Sequence, residues 1–139
     1  MIILDTNVVS ALVREQVPSG VARWFDLQPR ASICTTAITV FELRYGLEMM
    51  PNSERRDRLV AALARILSDT LGGRIIPFDA RGAEAAGRLM ARRRASGRTI
   101  EATDTLIAGI ALANRATLAT RNLRHFADLE VLVIDPWAA

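Results

Sequence analysis

The chain of 139 residues has no lysine, one cysteine and one histidine, and its aromatic content is only 5%. A single cysteine, Cys34, excludes an internal disulfide. Within Ala31-Ser32-Ile33-Cys34-Thr35 it reads as a small buried hydrophobe in a strand rather than a reactive thiol. With the lone His125 it is also too little for a Cys/His metal cluster. His125, in Asn122-Leu123-Arg124-His125-Phe126, has no partner legible nearby and reads as a surface or loop residue. Scarce aromatics leave the core to Ala, Leu, Ile and Val. No apolar run approaches the roughly 20 residues needed to span a bilayer. The start has no basic region ahead of an apolar stretch, and Asp5 interrupts one, so a cytoplasmic protein without a signal peptide is expected. Several enzyme signatures are also missing: no phosphate-binding Gly-Lys-Ser/Thr loop, no Gly-x-Ser-x-Gly elbow and no Gly-x-Gly-x-x-Gly. Asp5-Thr6-Asn7 lacks the second acid of an aspartyl-phosphate phosphatase motif.

Half of the residues are hydrophobic and the net charge is +3. Those values fit one globular domain over residues 1–139 with a single core. All basic residues are arginines, a bias that a GC-rich genome can produce by itself. Their distribution says more. Arg92, Arg93, Arg94 and Arg98 cluster just ahead of Asp104, where they could grip RNA phosphates or simply solvate a helix end. The charged stretch Glu54-Arg55-Arg56-Asp57-Arg58 reads as a solvated helix face.

Strands and helices alternate. Strands are expected at about 1–5, 31–35, 74–78, 116–119 and 130–134, with helices between them. Asp79 can cap one helix, Asn52 or Ser53 another, and Gly72-Gly73 and Ser96-Gly97 close two. This order argues for an α/β fold with a mainly parallel, about five-stranded sheet covered on both faces. The helical pair from about 37 to 71 is expected to form a projecting hairpin, a natural dimer contact. In the first of these helices Ile38, Phe41 and Tyr45 share a face expected to pack inward, with Leu43 and Leu47 extending the apolar surface.

Three acids stand out against that frame. Ile2-Ile3-Leu4 reads as a buried strand that ends on Asp5, at the sheet edge where α/β folds bind ligands. Glu42 follows Phe41 beside the apolar side of its helix. Asp104 lies in the first turn of an almost wholly apolar helix, where burial of an isolated carboxylate is costly unless a cation or hydrogen bonds offset it. Clustered carboxylates raise one another's proton affinity, and a divalent cation removes that conflict. All-oxygen ligands favour Mg²⁺ or Mn²⁺.

The segments Leu4-Asp5-Thr6-Asn7, Ile38 to Gly46, Asp104-Thr105-Leu106-Ile107-Ala108, Ala119-Thr120-Arg121-Asn122 and Asp135-Pro136-Trp137, in this order and spacing, resemble PIN-domain ribonucleases. The likeness is nearest to the VapC and FitB-type toxins of toxin–antitoxin pairs and spans essentially the whole chain. It implies a three-layer α/β/α sandwich, a carboxylate site for Mg²⁺ or Mn²⁺, and hydrolysis of RNA phosphodiesters. Carried onto this chain, it makes Asp5, Glu42 and Asp104 the catalytic acids. Asp5 and Asp104 are the main metal ligands, with Glu42 and Asn122 as further candidates. Thr6, Asn7 and Thr120 would orient the carboxylates, although Thr6 and Asn7 equally suit helix capping. The family usually has a fourth acid where this chain has Asn122, and Asp128 is the other acid in reach. The resemblance also implies a VapB/FitA-like antitoxin, contact with DNA only through that antitoxin, no membrane, and a homodimer within a higher assembly. Two rivals stay open: a PIN-like module that binds RNA or a partner without cutting, and a DNA-directed nuclease of the same fold.

Overall fold

The computed structural model describes residues 1–139. The fold is built outward from β1 (Ile2–Leu4), whose Ile3 and Leu4 are fully buried. β1 lies between β2 (Ile33–Thr36) and β4 (Thr117–Ala119), parallel to both. β3 (Ile75–Ile76) and β5 (Val133–Ile134) complete a parallel sheet of order β3-β2-β1-β4-β5. Helices cover both faces of this parallel sheet, so its central strand is buried on both sides and reads as an unbroken apolar run. The edge strands are shorter than their apolar patterns suggest, with two paired residues each.

Alternation along the strands sorts side chains between two cores. Ile3, Cys34 and Leu118 join Leu89, Ile107, Ile110 and Phe126 on one face. Leu4, Ile33 and Ala119 join Val8, Trp24, Phe25, Leu47 and Leu63 on the other. The first face is covered by α5 (Ala80–Ala95) and α6 (Ala102–Asn114). The second is covered by α1 (Thr6–Val13), α2 (Ser19–Leu27) and α4 (Glu54–Arg65), with α3 (Ala37–Met49) reaching both cores through Ile38 and Leu47. The result is the expected three-layer sandwich. Cys34 is buried and its thiol pKa is pushed up to about 11 by that burial, as an inert core residue requires.

Capping defines most helix starts. Thr36, Ser53 and Asp79 accept from the backbone N–H three residues on. α1 is capped by Asp5 itself, through Thr6 N–H at 2.8 Å. α4 runs into a π-helical turn at Ile66–Thr70, and Gly72 and Gly73, both at positive φ, reverse the chain toward β3. Two expectations fail in α3 and α4. Phe41 and Tyr45 are each 60% exposed and stack on one another across 6.4 Å. The inward side of α3 is Thr39 with Leu43 and Leu47, the two leucines expected to extend its apolar surface, while Ile38 packs against the first core. The α3–α4 pair does not project as a free arm either: Leu47, Leu63 and Leu71 are buried in the second core. No helix is long and apolar enough to cross a membrane.

Candidate active site

The order of the strands places a topological switch between β1 and β4, where successive connections leave in opposite directions. In parallel sheets a crevice opens there at the carboxyl ends of the strands. Asp5 and Thr120 are the residues that follow β1 and β4 at this edge. Ladder bonds extend to both: Asp5 N–H donates to Ala119 and Thr120 N–H to Ile134. Their side chains meet, Thr120 Oγ1 donating to Asp5 Oδ2 at 2.7 Å.

Asp5 is 2% exposed. Besides Thr120 it accepts from Thr6 N–H, and more weakly from Asn7 Nδ2 at 3.3 Å. Thr120 is fully engaged, because its oxygen also accepts from Asn122 N–H and Asn7 Nδ2. Asn7 Oδ1 in turn accepts from Arg121 N–H. The expected orienting residues Thr6, Asn7 and Thr120 thus all touch the acids, and the capping role falls to Asp5. Donors favour the charged carboxylate, yet burial outweighs them. Asp5 is raised from an ordinary 3.8 to about 6, chiefly by desolvation, with the negative fields of Asp104 and Glu42 adding to it. Both other acids therefore lie close enough to act on Asp5.

Glu42 is half-buried on α3. Its Oε1 accepts from Thr6 Oγ1 at 2.6 Å. Because the single hydroxyl proton of Thr6 is used there, Thr39 Oγ1 must be the donor across the 3.1 Å to Thr6. Thr36 Oγ1 donates weakly to Thr39 in the same direction, at 3.5 Å. A relay of three threonines therefore ends on Glu42. Thr39 was not singled out from the sequence; its legible signal is the three-residue spacing that puts it on one helix face with Glu42.

Asp104 sits in the first turn of α6 and is 9% exposed. Its Oδ2 lies 2.6 Å from His125 Nδ1. An ionised carboxylate can only accept, so the ring nitrogen carries the proton. The structure therefore corrects the reading of His125 as a partnerless loop residue. Nothing local could have found the pair, since it joins α6 to the short 3₁₀ turn Leu123–His125.

Two other expectations are corrected. Arg93 is 3% exposed and its guanidinium is used up inside the protein. It forks onto Asp128 at 2.8 and 2.9 Å, and donates to Thr105 Oγ1 and to the His125 carbonyl. Arg98 also pairs with Asp128, at 3.3 Å, and donates to the Arg124 carbonyl. Arg93 is not free for RNA, whereas Arg98 stays partly exposed and Arg92 and Arg94 are exposed. Asp128 is held by two arginines and is no substitute fourth acid. Asn122 is exposed, and its amide makes no hydrogen bond to any of the three acids.

No three His, Cys, Asp or Glu side chains converge tightly enough to enclose an ion by themselves. The open atoms are nevertheless oxygens. Asp104 Oδ1 and Glu42 Oε2 have no protein donor, and since no buried side-chain oxygen lacks a partner, both reach solvent. Beside Glu42 an open groove of about 330 Å³ runs between α1, α3 and α4, lined by Ser10, Val13, Leu43, Leu47, Leu59 and Arg55 among others.

A profile of the PIN domain family matches residues 2–132. The plasmid stability protein StbB of Pseudomonas syringae pv. tomato is 40% identical over 139 residues, all of both chains. VapC ribonuclease Y4jK of Sinorhizobium fredii is 37% identical over 137 residues, covering 99% of this chain and 98% of that one. Among solved structures, FitAcB from Neisseria gonorrhoeae superposes with a TM-score of 0.89 at 34% identity, covering 100% of both chains.

Proposed function

The chain belongs to the PIN-domain family, and from that premise we propose that it is an endoribonuclease, the toxin of a toxin–antitoxin pair, that hydrolyses RNA phosphodiesters at a carboxylate site holding Mg²⁺ or Mn²⁺. The observation that carries this reading is Asp5: a buried carboxylate at the switch point, raised to about 6 by burial and by two neighbouring acids. Its cap on α1 and its Thr120 contact need only a polar acceptor, whereas the electrostatic conflict is one that a bound cation relieves. The donor set suits a hard cation, being carboxylate oxygen throughout. Because no closed cage of side chains exists, the fit is to an ion that keeps several waters, as Mg²⁺ does. Asp5 and Asp104 would hold it, with Glu42 as a ligand or as the group that orients a water.

When bound, the ion supplies an acidified water and neutralises charge on the phosphate. The chain's own residues do the rest. Thr120, Asn7 and the Thr6 backbone fix the plane of the Asp5 carboxylate. The threonine relay from Thr36 fixes Glu42 and leaves Oε2 without a protein donor. Arg92 and Arg94 are the exposed candidates of the arginine cluster for backbone phosphates.

The partner is read as a VapB/FitA-like antitoxin that seats a peptide in the groove beside Glu42 and contacts DNA through its other part. Apolar walls from Leu43, Leu47 and Leu59 support a peptide with apolar side chains. The stacked, exposed Phe41 and Tyr45 support a homodimer. A toxin acting on RNA would work in the cytoplasm.

The test is cleavage of total cellular RNA by antitoxin-free protein with Mg²⁺, Mn²⁺ or chelator, beside Asp5→Asn. Discrete cuts that need metal and vanish in the variant are expected, with single-stranded DNA left intact; DNA cutting would favour the DNA-directed reading. A second reading, a non-cleaving module, is favoured by one observation: Asn122 brings no charge where the family has an acid. Folded protein that binds RNA and cuts under no metal, with activity appearing in Asn122→Asp, would establish it.

A further inference from the structure

Each acid of the site is oriented by a neighbour, and for Asp104 that neighbour is His125. Asp104 and Asp5 repel, as the upward push on Asp5 records. A side chain in the first turn of a helix has other staggered rotamers available to escape that repulsion. The ring Nδ1 of His125, 2.6 Å from Oδ2, holds it in place with a short, charge-assisted bond. The same contact leaves Oδ1 without a protein donor and reaching solvent.

The ring has a rigid base although it is itself 40% exposed. Arg93 projects from α5 beneath it, nearly sealed from solvent. Its fork with Asp128 fixes the plane of the guanidinium. From that plane one nitrogen donates to the His125 carbonyl at 2.7 Å and another to Thr105 Oγ1 at 2.9 Å. Thr105 is the residue after Asp104. One buried guanidinium therefore ties down the backbone of His125 and the chain neighbour of Asp104, on two elements that the sequence keeps 20 residues apart.

We propose that His125 is a positioning residue for the site: it aims Asp104 so that its free oxygen faces a bound divalent cation, and Arg93 with Asp128 forms the frame that keeps the imidazole in place. This rests on the metal-site reading above and extends it to a residue outside the acids. A ring donor behind a carboxylate ligand fixes its orientation in the way outer-shell partners do elsewhere, where their loss costs roughly 10–100-fold in affinity or activity.

The test compares His125→Phe, which keeps a planar ring without the donor, with His125→Asn, whose amide Nδ2 stands near the place of Nδ1. Mn²⁺ affinity is read by water-proton relaxation, melting temperature by calorimetry without metal, and RNA cleavage separately. His125→Phe should bind Mn²⁺ about tenfold more weakly and cut more slowly, with His125→Asn close to wild type in both. The phenylalanine variant should melt within a few degrees of wild type. Equal Mn²⁺ affinity in wild type and His125→Phe overturns the proposal, as does equal loss in both variants. A wild type that binds no Mn²⁺ overturns the metal-site reading itself and this inference with it, an outcome visible before either variant is made.

Discussion

Asp5 and Asp128 respond to pH with opposite signs, because burial dominates the first and the hydrogen bonds from Arg93 dominate the second. Asp128 is lowered, first by its hydrogen bonds from Arg93. Its contribution to stability is therefore present above the unfolded carboxyl value and lost as pH falls through the lower, folded one. Asp5 titrates near 6 in the folded chain against an ordinary 3.8. Between those values the folded protein holds a proton that the unfolded chain has released. Metal-free protein should lose stability as pH rises from about 4 to about 6 and then level off, a shift worth about 3 kcal/mol in magnitude. Asp5→Asn removes the buried charge but also weakens the Thr120 contact. It should stabilise the metal-free protein at pH 7.5 by about 2 kcal/mol and flatten the profile between pH 4 and 7, while abolishing RNA cleavage. Thermal denaturation across that range in chelator measures it. An Asp5→Asn protein that melts below wild type at pH 7.5 would mean the carboxylate is no burden and would remove the main physical support for a cation there. Mg²⁺ should raise the melting point of wild type and leave that of the variant unchanged.

At the level of elements, the pair α5 and α6 carries Arg93 and Asp104, and its closeness is set by glycine. A Cβ on Gly109 would stand 2.5 Å from Ala86 Cβ and 2.7 Å from both Ala86 N and the Gly82 carbonyl oxygen. Two of those three obstacles are backbone, so the helices themselves would have to part. Gly109→Ala should cost about 3 kcal/mol or more, seen as a lower urea midpoint, and should slow RNA cleavage through the displaced Arg93 frame. Unchanged stability would mean the helices slide without loss. The same pair marks the limit of what the sequence discloses. Helix positions were legible because capping residues and glycines punctuate them: Ser53, Asp79, Gly72-Gly73 and Gly97 all act as read. Asp5 was legible because it ends an apolar strand, Asp104 because it opens an apolar helix, and Glu42 because it sits beside the apolar side of its helix; β1 was legible because a doubly covered strand must be an apolar run. The edge strands β3 and β5 came out shorter, since Arg74, Pro77 and Glu130 border apolar runs that exceed their paired length. Phe41 and Tyr45 were misassigned because periodicity identifies a helix face but not whether something in the same chain covers it. His125 with Asp104, and Arg93 with Asp128, are tertiary pairings between residues 21 and 35 apart. No local pattern encodes them, and a run of arginines looks alike whether one member is buried or all are solvated.

For the molecule as a whole, the uncovered face is the informative one. Phe41, Tyr45 and Met49 recur every fourth residue along α3 and are all exposed, Met49 at 69%. Contiguous apolar surface of this kind on a small protein marks an interaction site. The accessible surface is 7852 Å² at 15.2 kDa, whereas a compact monomer of that mass exposes about 7100 Å². A rotationally symmetric contact would bring the α3 stripe of one copy against the same stripe of another, so that like surfaces pair. The stripe and Glu42 share α3, and a dimer formed there would hold two acidic crevices in a fixed relation. Sedimentation of antitoxin-free protein at micromolar concentration should therefore give a dimer, and Phe41→Glu with Tyr45→Glu a monomer. Both rings already face solvent, so the double variant should keep its melting point to within a few degrees once dimer linkage is allowed for. A variant that stays dimeric would place the contact elsewhere. A monomeric wild type would leave the stripe for another partner, and an antitoxin that binds wild type but fails to bind the double variant would identify it. Cleavage by the folded monomer then decides whether each crevice works alone, since every residue assigned to the site, from Asp5 to His125, belongs to one chain.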